Sequence, residues 1–151
     1  MAELEDEFNI AEPPDGPLYE GETEGGLPNG QGTLFWSEGI KRYVGYWKNG
    51  KRDGQGQSFL SDGFMLFEGD WKEDLRNGSG TYYWPDGDRH EGQWKNGKCH
   101  GLGKVFRPNG TVTYEGEWAE GARNGQGTAY RPDGSVIFEG QWKNGYQVKT
   151  K

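Results

Sequence analysis

Cysteine occurs once in this 151-residue chain, at Cys99, so an internal disulfide framework is excluded. Histidine and methionine occur only twice each. Hydrophobic residues make up 30% of the chain and mean hydropathy is -1.07, with no apolar run of membrane-spanning length. The first 24 residues lack any base: Glu3, Glu5, Asp6, Glu7, Glu12, Asp15, Glu20, Glu22 and Glu24 give them a charge of -9. The remainder holds 17 bases and 15 acids, +2, so the chain carries -7. No concentrated positive field exists, which argues against a nucleic-acid partner. Met1 is followed by acids rather than by a basic and then apolar stretch, so no secretion signal is read and the cytoplasm is expected.

Low hydrophobicity with high charge reads as disorder, but this chain is 15% aromatic and holds 28 Gly, 7 Trp and 8 Tyr. The rings are placed at regular intervals. Tyr114-Glu115-Gly116-Glu117-Trp118 recurs as Tyr43-Val44-Gly45-Tyr46-Trp47, Phe67-Glu68-Gly69-Asp70-Trp71, His90-Glu91-Gly92-Gln93-Trp94 and Phe138-Glu139-Gly140-Gln141-Trp142. A worn copy, Tyr19-Glu20-Gly21-Glu22-Thr23, opens the series. The copies start at 19, 43, 67, 90, 114 and 138, steps of 24, 24, 23, 24 and 24 residues. A fixed period of this size marks a repeat architecture.

Within a copy, Tyr114, Gly116 and Trp118 alternate with Glu115 and Glu117, the period of a strand with one polar face. Glu120 to Gly125 is rich in turn residues, Gly125 to Tyr130 reads as a second strand, and Arg131-Pro132-Asp133-Gly134 signals a further turn. Each copy therefore predicts a β-hairpin, and successive hairpins an antiparallel meander. The Gly-x-Gly of strand two (Gly30/Gly32, Gly54/Gly56, Gly78/Gly80, Gly101/Gly103, Gly125/Gly127) leaves room for neighbouring rings.

This pattern, with an Asp-Gly or similar turn before the next copy, resembles the MORN repeat (membrane occupation and recognition nexus) over roughly residues 19–148. The resemblance implies an all-β, elongated, twisted, largely single-layer antiparallel β-meander. At a strand spacing of ~4.8 Å, about eleven strands would span on the order of 50 Å. Three segments are expected: an acidic arm at 1–17, the array at 18–148, and a tail at 149–151. The last copy is expected to stop after its first strand. Departures from the pattern are Thr23 for Trp, His90 for the leading ring, and Asp74 for a turn glycine.

Cys99, His100 and His90 lack zinc spacing, and the two histidines sit where sibling copies carry ordinary repeat residues, so the three read as structural. The acids follow the strand period and read as a solvated face. No nucleophile elbow or phosphate loop is present, so neither an enzyme nor a cofactor is expected. The residues that break the pattern are the better candidates for a partner site. They are a variable stripe after each strand-two ring (Trp36, Leu60, Trp84, Arg107 and Arg131), together with Tyr46 and Tyr82. Basic residues recur at one hairpin end: Lys48, Lys51, Arg52, Lys72, Arg76, Lys95, Lys98, Arg123 and Lys143. Proteins with MORN repeats are linked to phosphoinositides and membranes, and such a rim is a candidate for acidic head groups. The function expected is a protein-interaction or scaffold module presenting an aromatic-bearing sheet face to a peptide or helix. The alternative is a peripheral membrane adaptor.

Overall fold

Asn49 and Gly50 take φ of 50° and 82°. Two successive left-handed residues make the tight turn whose twist suits the strands it joins, and this one sets Lys48 opposite Lys51. Asn96-Gly97, Glu120-Gly121 and Asn144-Gly145 repeat it. The opposite hairpin ends are wider. There the amide of Gly63 donates to the Leu60 carbonyl (2.9 Å) and the Leu60 amide to the Phe64 carbonyl (2.8 Å). Trp84, Arg107 and Arg131 hold the same pair of bonds in their own turns, as the Asp-Gly and Asn-Gly signals predict.

The computed structural model describes residues 18–37 and 39–149, so the acidic arm at 1–17 lies outside the described residues. Two units are present, Met1–Leu75 and Arg76–Lys151. The first holds β1 (Leu18–Glu24), β2 (Leu27–Ser37), β3 (Ile40–Lys48), β4 (Lys51–Phe59) and β5 (Met65–Lys72). β6 (Leu75–Tyr83) begins at the boundary. The second unit continues with β7 (Arg89–Lys95), β8 (Lys98–Phe106), β9 (Val112–Ala119), β10 (Ala122–Tyr130), β11 (Val136–Lys143) and β12 (Tyr146–Gln147). Within each unit every strand pairs antiparallel with its neighbour in sequence, and no helix occurs among the described residues. The all-β meander is correct. The last copy goes further than expected, because Trp142 and Lys143 pair with Gln147 and Tyr146.

One register runs through both units. Gly21 faces Gly32, Gly32 faces Gly45, Gly45 faces Gly56 and Gly56 faces Gly69. In the second unit the row is Gly80, Gly92, Gly103, Gly116, Gly127 and Gly140. Only a row without side chains lets rings from the flanking positions lie flat across the strands. The other glycine of each Gly-x-Gly has a different task. Gly54, Gly101 and Gly125 take φ of 105°, 96° and 104°, a region costly for residues with a Cβ. Between β3 and β4, β7 and β8, and β9 and β10 the register shifts beside them.

Candidate functional site

On one side of the strands in each unit, the leading ring and the Trp of a copy flank the glycine row. Tyr43 meets Trp47 and Trp71 edge-on, with centroids 5.0 and 5.4 Å apart, and Phe67 meets Trp71 at 5.4 Å. In the second unit Tyr114 meets Trp118 and Trp142 at 5.2 and 5.3 Å. Edge-on contact matches the positive rim of one ring to the negative face of the next. The polar atoms are satisfied as well. Indole N–H groups of Trp47, Trp71, Trp94 and Trp142 donate to the carbonyls of Gly32, Gly56, Gly80 and Gly127 at 3.0–3.1 Å. The hydroxyls of Tyr43 and Tyr114 donate to the carbonyls of Tyr46 and Glu117 at 3.0 Å. Tyr43, Phe67 and Tyr114 are wholly buried. The recurring rings are the core of a one-layer sheet.

Arginine joins that core, which corrects the expected rim. Arg52 and Arg76 are buried, and Arg123 is half-buried. The Arg52 guanidinium lies 4.3 Å over the Trp71 ring, Arg76 5.1 and 5.2 Å over Tyr82 and Trp94, and Arg123 4.5 Å over Tyr114. A flat, weakly hydrated guanidinium stacks where an ammonium would not. Arg52 also donates through Nε to the Asp74 carboxylate (3.2 Å) and through an Nη to the Asp74 carbonyl (2.8 Å). Lys48, Lys51, Lys72, Lys95, Lys98 and Lys143 remain exposed, with Lys95 directly opposite Lys98.

The variable stripe lies at the wide turns and has structural work of its own. The Trp36 indole donates to the Phe59 carbonyl at 2.9 Å, and its ring carries the Arg42 guanidinium at 4.5 Å. Arg107 does the equivalent by other chemistry, donating to the Tyr130 carbonyl at 2.7 Å and to its own turn at Val112 (2.9 Å). Both tie one copy to the strand-two ring of the next. Arg131 is exposed and donates to Val136 O at 2.9 Å, while Leu60 is half-buried. Trp84 and Tyr82 are buried, their rings 4.8 Å apart. Buried rings are not open to a partner, so these two leave the candidate set. Sequence reasoning missed this because a large residue at a variable position looks the same whether it fills a gap or faces water.

Tyr46 is the stripe's opposite. It is 45% exposed on the polar side of the sheet. In sibling copies this position reaches over the bulge glycine and accepts a backbone N–H: Glu22 from Gln31 (2.7 Å), Gln93 from Leu102 (3.0 Å) and Glu117 from Gln126 (2.5 Å). Tyrosine has no carboxylate to offer the Gln55 amide. Its ring instead rests beside Gly54, and its hydroxyl accepts from Gln31 Nε2 at 2.8 Å. On the same side in the second unit, Leu102 is 62% exposed, while Lys104 reaches Glu115 at 3.4 Å.

His90 and Cys99 replace a contacting Tyr–Arg pair of sibling copies, with Cys99 Sγ 3.6 Å from His90 Nδ1. Both are buried. Burial, and then the positive charge of Arg123, push the imidazole down to about 4. His100 faces Glu120 instead, at 3.8 Å. Among the described residues no three His, Cys, Asp or Glu side chains gather as metal ligands.

Open clefts occur among the described residues of the second unit. One of about 470 Å³ lies between His100, Glu117, Trp118 and Lys143. Another, of about 410 Å³, lies against Arg123, Ile137, Trp142 and Tyr146. No curated protein sequence matches the chain. The MORN repeat family model matches six consecutive segments, residues 19–41, 43–64, 67–89, 90–112, 114–136 and 138–148. They coincide with the six copies of the period, and the chain belongs to the MORN-repeat family.

Proposed function

We propose that the chain is a non-catalytic protein-interaction or scaffold module, holding a partner peptide or helix against its polar sheet face with Tyr46 as an anchor. The family's general association with protein and membrane interaction agrees with this reading. The observation that carries it is the exposed Tyr46 ring at a position where Glu, Asp or Gln serves the repeat and Tyr does not. Aromatic residues in that setting are the side chains that dominate interface energetics. Tyr46→Glu installs the sibling residue, so it should leave the urea midpoint unchanged or raised. Proteins captured from source-cell extract by the native chain should be lost with this variant. Capture that is indifferent to Tyr46→Glu would sink the proposal.

A second reading keeps the lysine rim. Lys48 against Lys51 and Lys95 against Lys98 place like charges directly opposite one another, which destabilises a strand pair. An anionic membrane surface would relieve the repulsion. Flotation with vesicles rich in acidic lipid, lost on Lys48→Glu and Lys95→Glu, is the result that favours this adaptor role.

A further inference from the structure

Three indoles of the array carry a guanidinium supplied by the chain itself. Arg52 stands 4.3 Å over Trp71, and Arg76 and Arg123 stand 5.2 Å over Trp94 and Trp142. Each arginine precedes its indole by 19 residues, or by 18 in the shorter copy. The same step of 19 back from Trp118 reaches Cys99. A thiol on a single carbon does not extend over an indole, and among the described residues no guanidinium stacks on Trp118. The edges of the Trp118 ring are packed, with His90 at 4.6 Å and Tyr114 at 5.2 Å. Even so it is only partly buried, whereas Trp71, Trp94 and Trp142 are 3–5% exposed.

The acceptor that goes with such a guanidinium is in place. Arg52 and Arg76 donate through Nη to the carbonyls of Asp74 and Gly97, at 2.8 and 3.0 Å. Those turn residues return their own amides to the arginine carbonyls, at 3.0 and 2.9 Å. The Gly121 amide makes the same bond to the Cys99 carbonyl, at 3.0 Å, so the Gly121 carbonyl stands at the equivalent point. The turn is open there, since a Cβ on Gly121 would meet nothing within 4 Å. Its neighbour Glu120 has a carboxylate side chain that is 75% exposed.

We propose that the uncovered face of Trp118 receives an arginine side chain from a protein partner. Its guanidinium lies over the indole, donates to the Gly121 carbonyl and has the Glu120 carboxylate as counter-charge. The occupant follows from the chain's own chemistry, because three sibling positions show what this place holds when the repeat supplies an arginine. A flat, weakly hydrated guanidinium stacks and donates at once, which a compact ammonium does not. The site belongs to the second unit and is independent of the reading that rests on Tyr46.

The indole N–H resonances of the full chain test this during titration with an end-capped pentapeptide holding one arginine among glycines. The Trp118 resonance is identified by its loss in Trp118→Phe. It should shift saturably while the other indoles stay nearly still, and the lysine counterpart of the peptide should bind at least about threefold more weakly. Cys99→Arg supplies the guanidinium from within, so the shift should vanish and the urea midpoint rise. Cys99→Ser leaves the face uncovered and should keep the binding. Glu120→Gln alters an exposed side chain and should weaken binding about twofold to threefold at low salt. No saturable shift, an equal response of all indoles, equal binding of the two peptides, or binding that survives in a folded Cys99→Arg chain overturns the proposal. Should Cys99→Arg not fold, the lysine peptide and Glu120→Gln decide, and binding indifferent to both overturns it. Tyr46 is altered in none of these chains, so failure here is separable from failure of the interaction-module reading.

Discussion

Tyr114 lays its ring over Gly127 so closely that a Cβ on the glycine would stand 2.5 Å from Tyr114 Cζ. Gly116, opposite Gly127 in the register, is as confined, for its Cβ would fall 2.5 Å from the Gln126 carbonyl oxygen. The glycine row and the rings are one device, and neither can change alone.

Gly127→Ala should therefore destabilise the fold by about 3 kcal/mol through overpacking. Gly134 sits at φ 88° with open space around it, so Gly134→Ala should lose only about 1 kcal/mol, from backbone strain. Urea midpoints of the two variants check the order, and equal losses would deny the ring slot.

Asp74 holds φ of 70° where sibling turns have glycine. Its carboxylate accepts both the amide (2.8 Å) and the Nε (3.2 Å) of buried Arg52. Asp74→Ala leaves that guanidinium short of an acceptor and should cost about 2 kcal/mol. Asp74→Gly relieves the turn and should recover part of the loss. Thermal unfolding of both variants measures the difference.

His90 supplies a pH dependence of definite sign. Its folded value of about 4 lies below the ordinary 6.5, so between these limits the unfolded chain binds a proton that the folded chain refuses. The contribution is complete above pH 6.5 and is lost as pH falls towards 4, by about 3 kcal/mol in all. Unfolding free energies across that window should show the slope in the native chain, and His90→Tyr should remove its share. An unchanged slope would contradict the burial of the imidazole.

The period, the hairpins and the turn chemistry were legible in the sequence because they repeat, and repetition exposes a rule. The division of labour inside Gly-x-Gly was not, since a glycine needed for positive φ and one needed for ring clearance look alike. Arg52 and Arg76 read as a charged rim because arginine is rarely buried; only the stacked geometry shows guanidiniums roofing the indoles. Tyr82 reads as a candidate for the partner site, yet it is wholly buried and packs against Trp84 and Trp94. Tyr46 could be found from sequence alone because its neighbours in the series show what the position ordinarily holds.

The central claim is that the recurring rings hold the sheet together and, one face of Trp118 apart, are not displayed to a partner. Trp47, Trp71, Trp84, Trp94 and Trp142 are buried, while Trp36 and Trp118 are partly exposed. Acrylamide quenching of intrinsic fluorescence tests this on the native chain directly. The account predicts blue-shifted emission in which most of the intensity resists quenching until urea unfolds the protein. Indoles quenched as readily before unfolding as after it would contradict it.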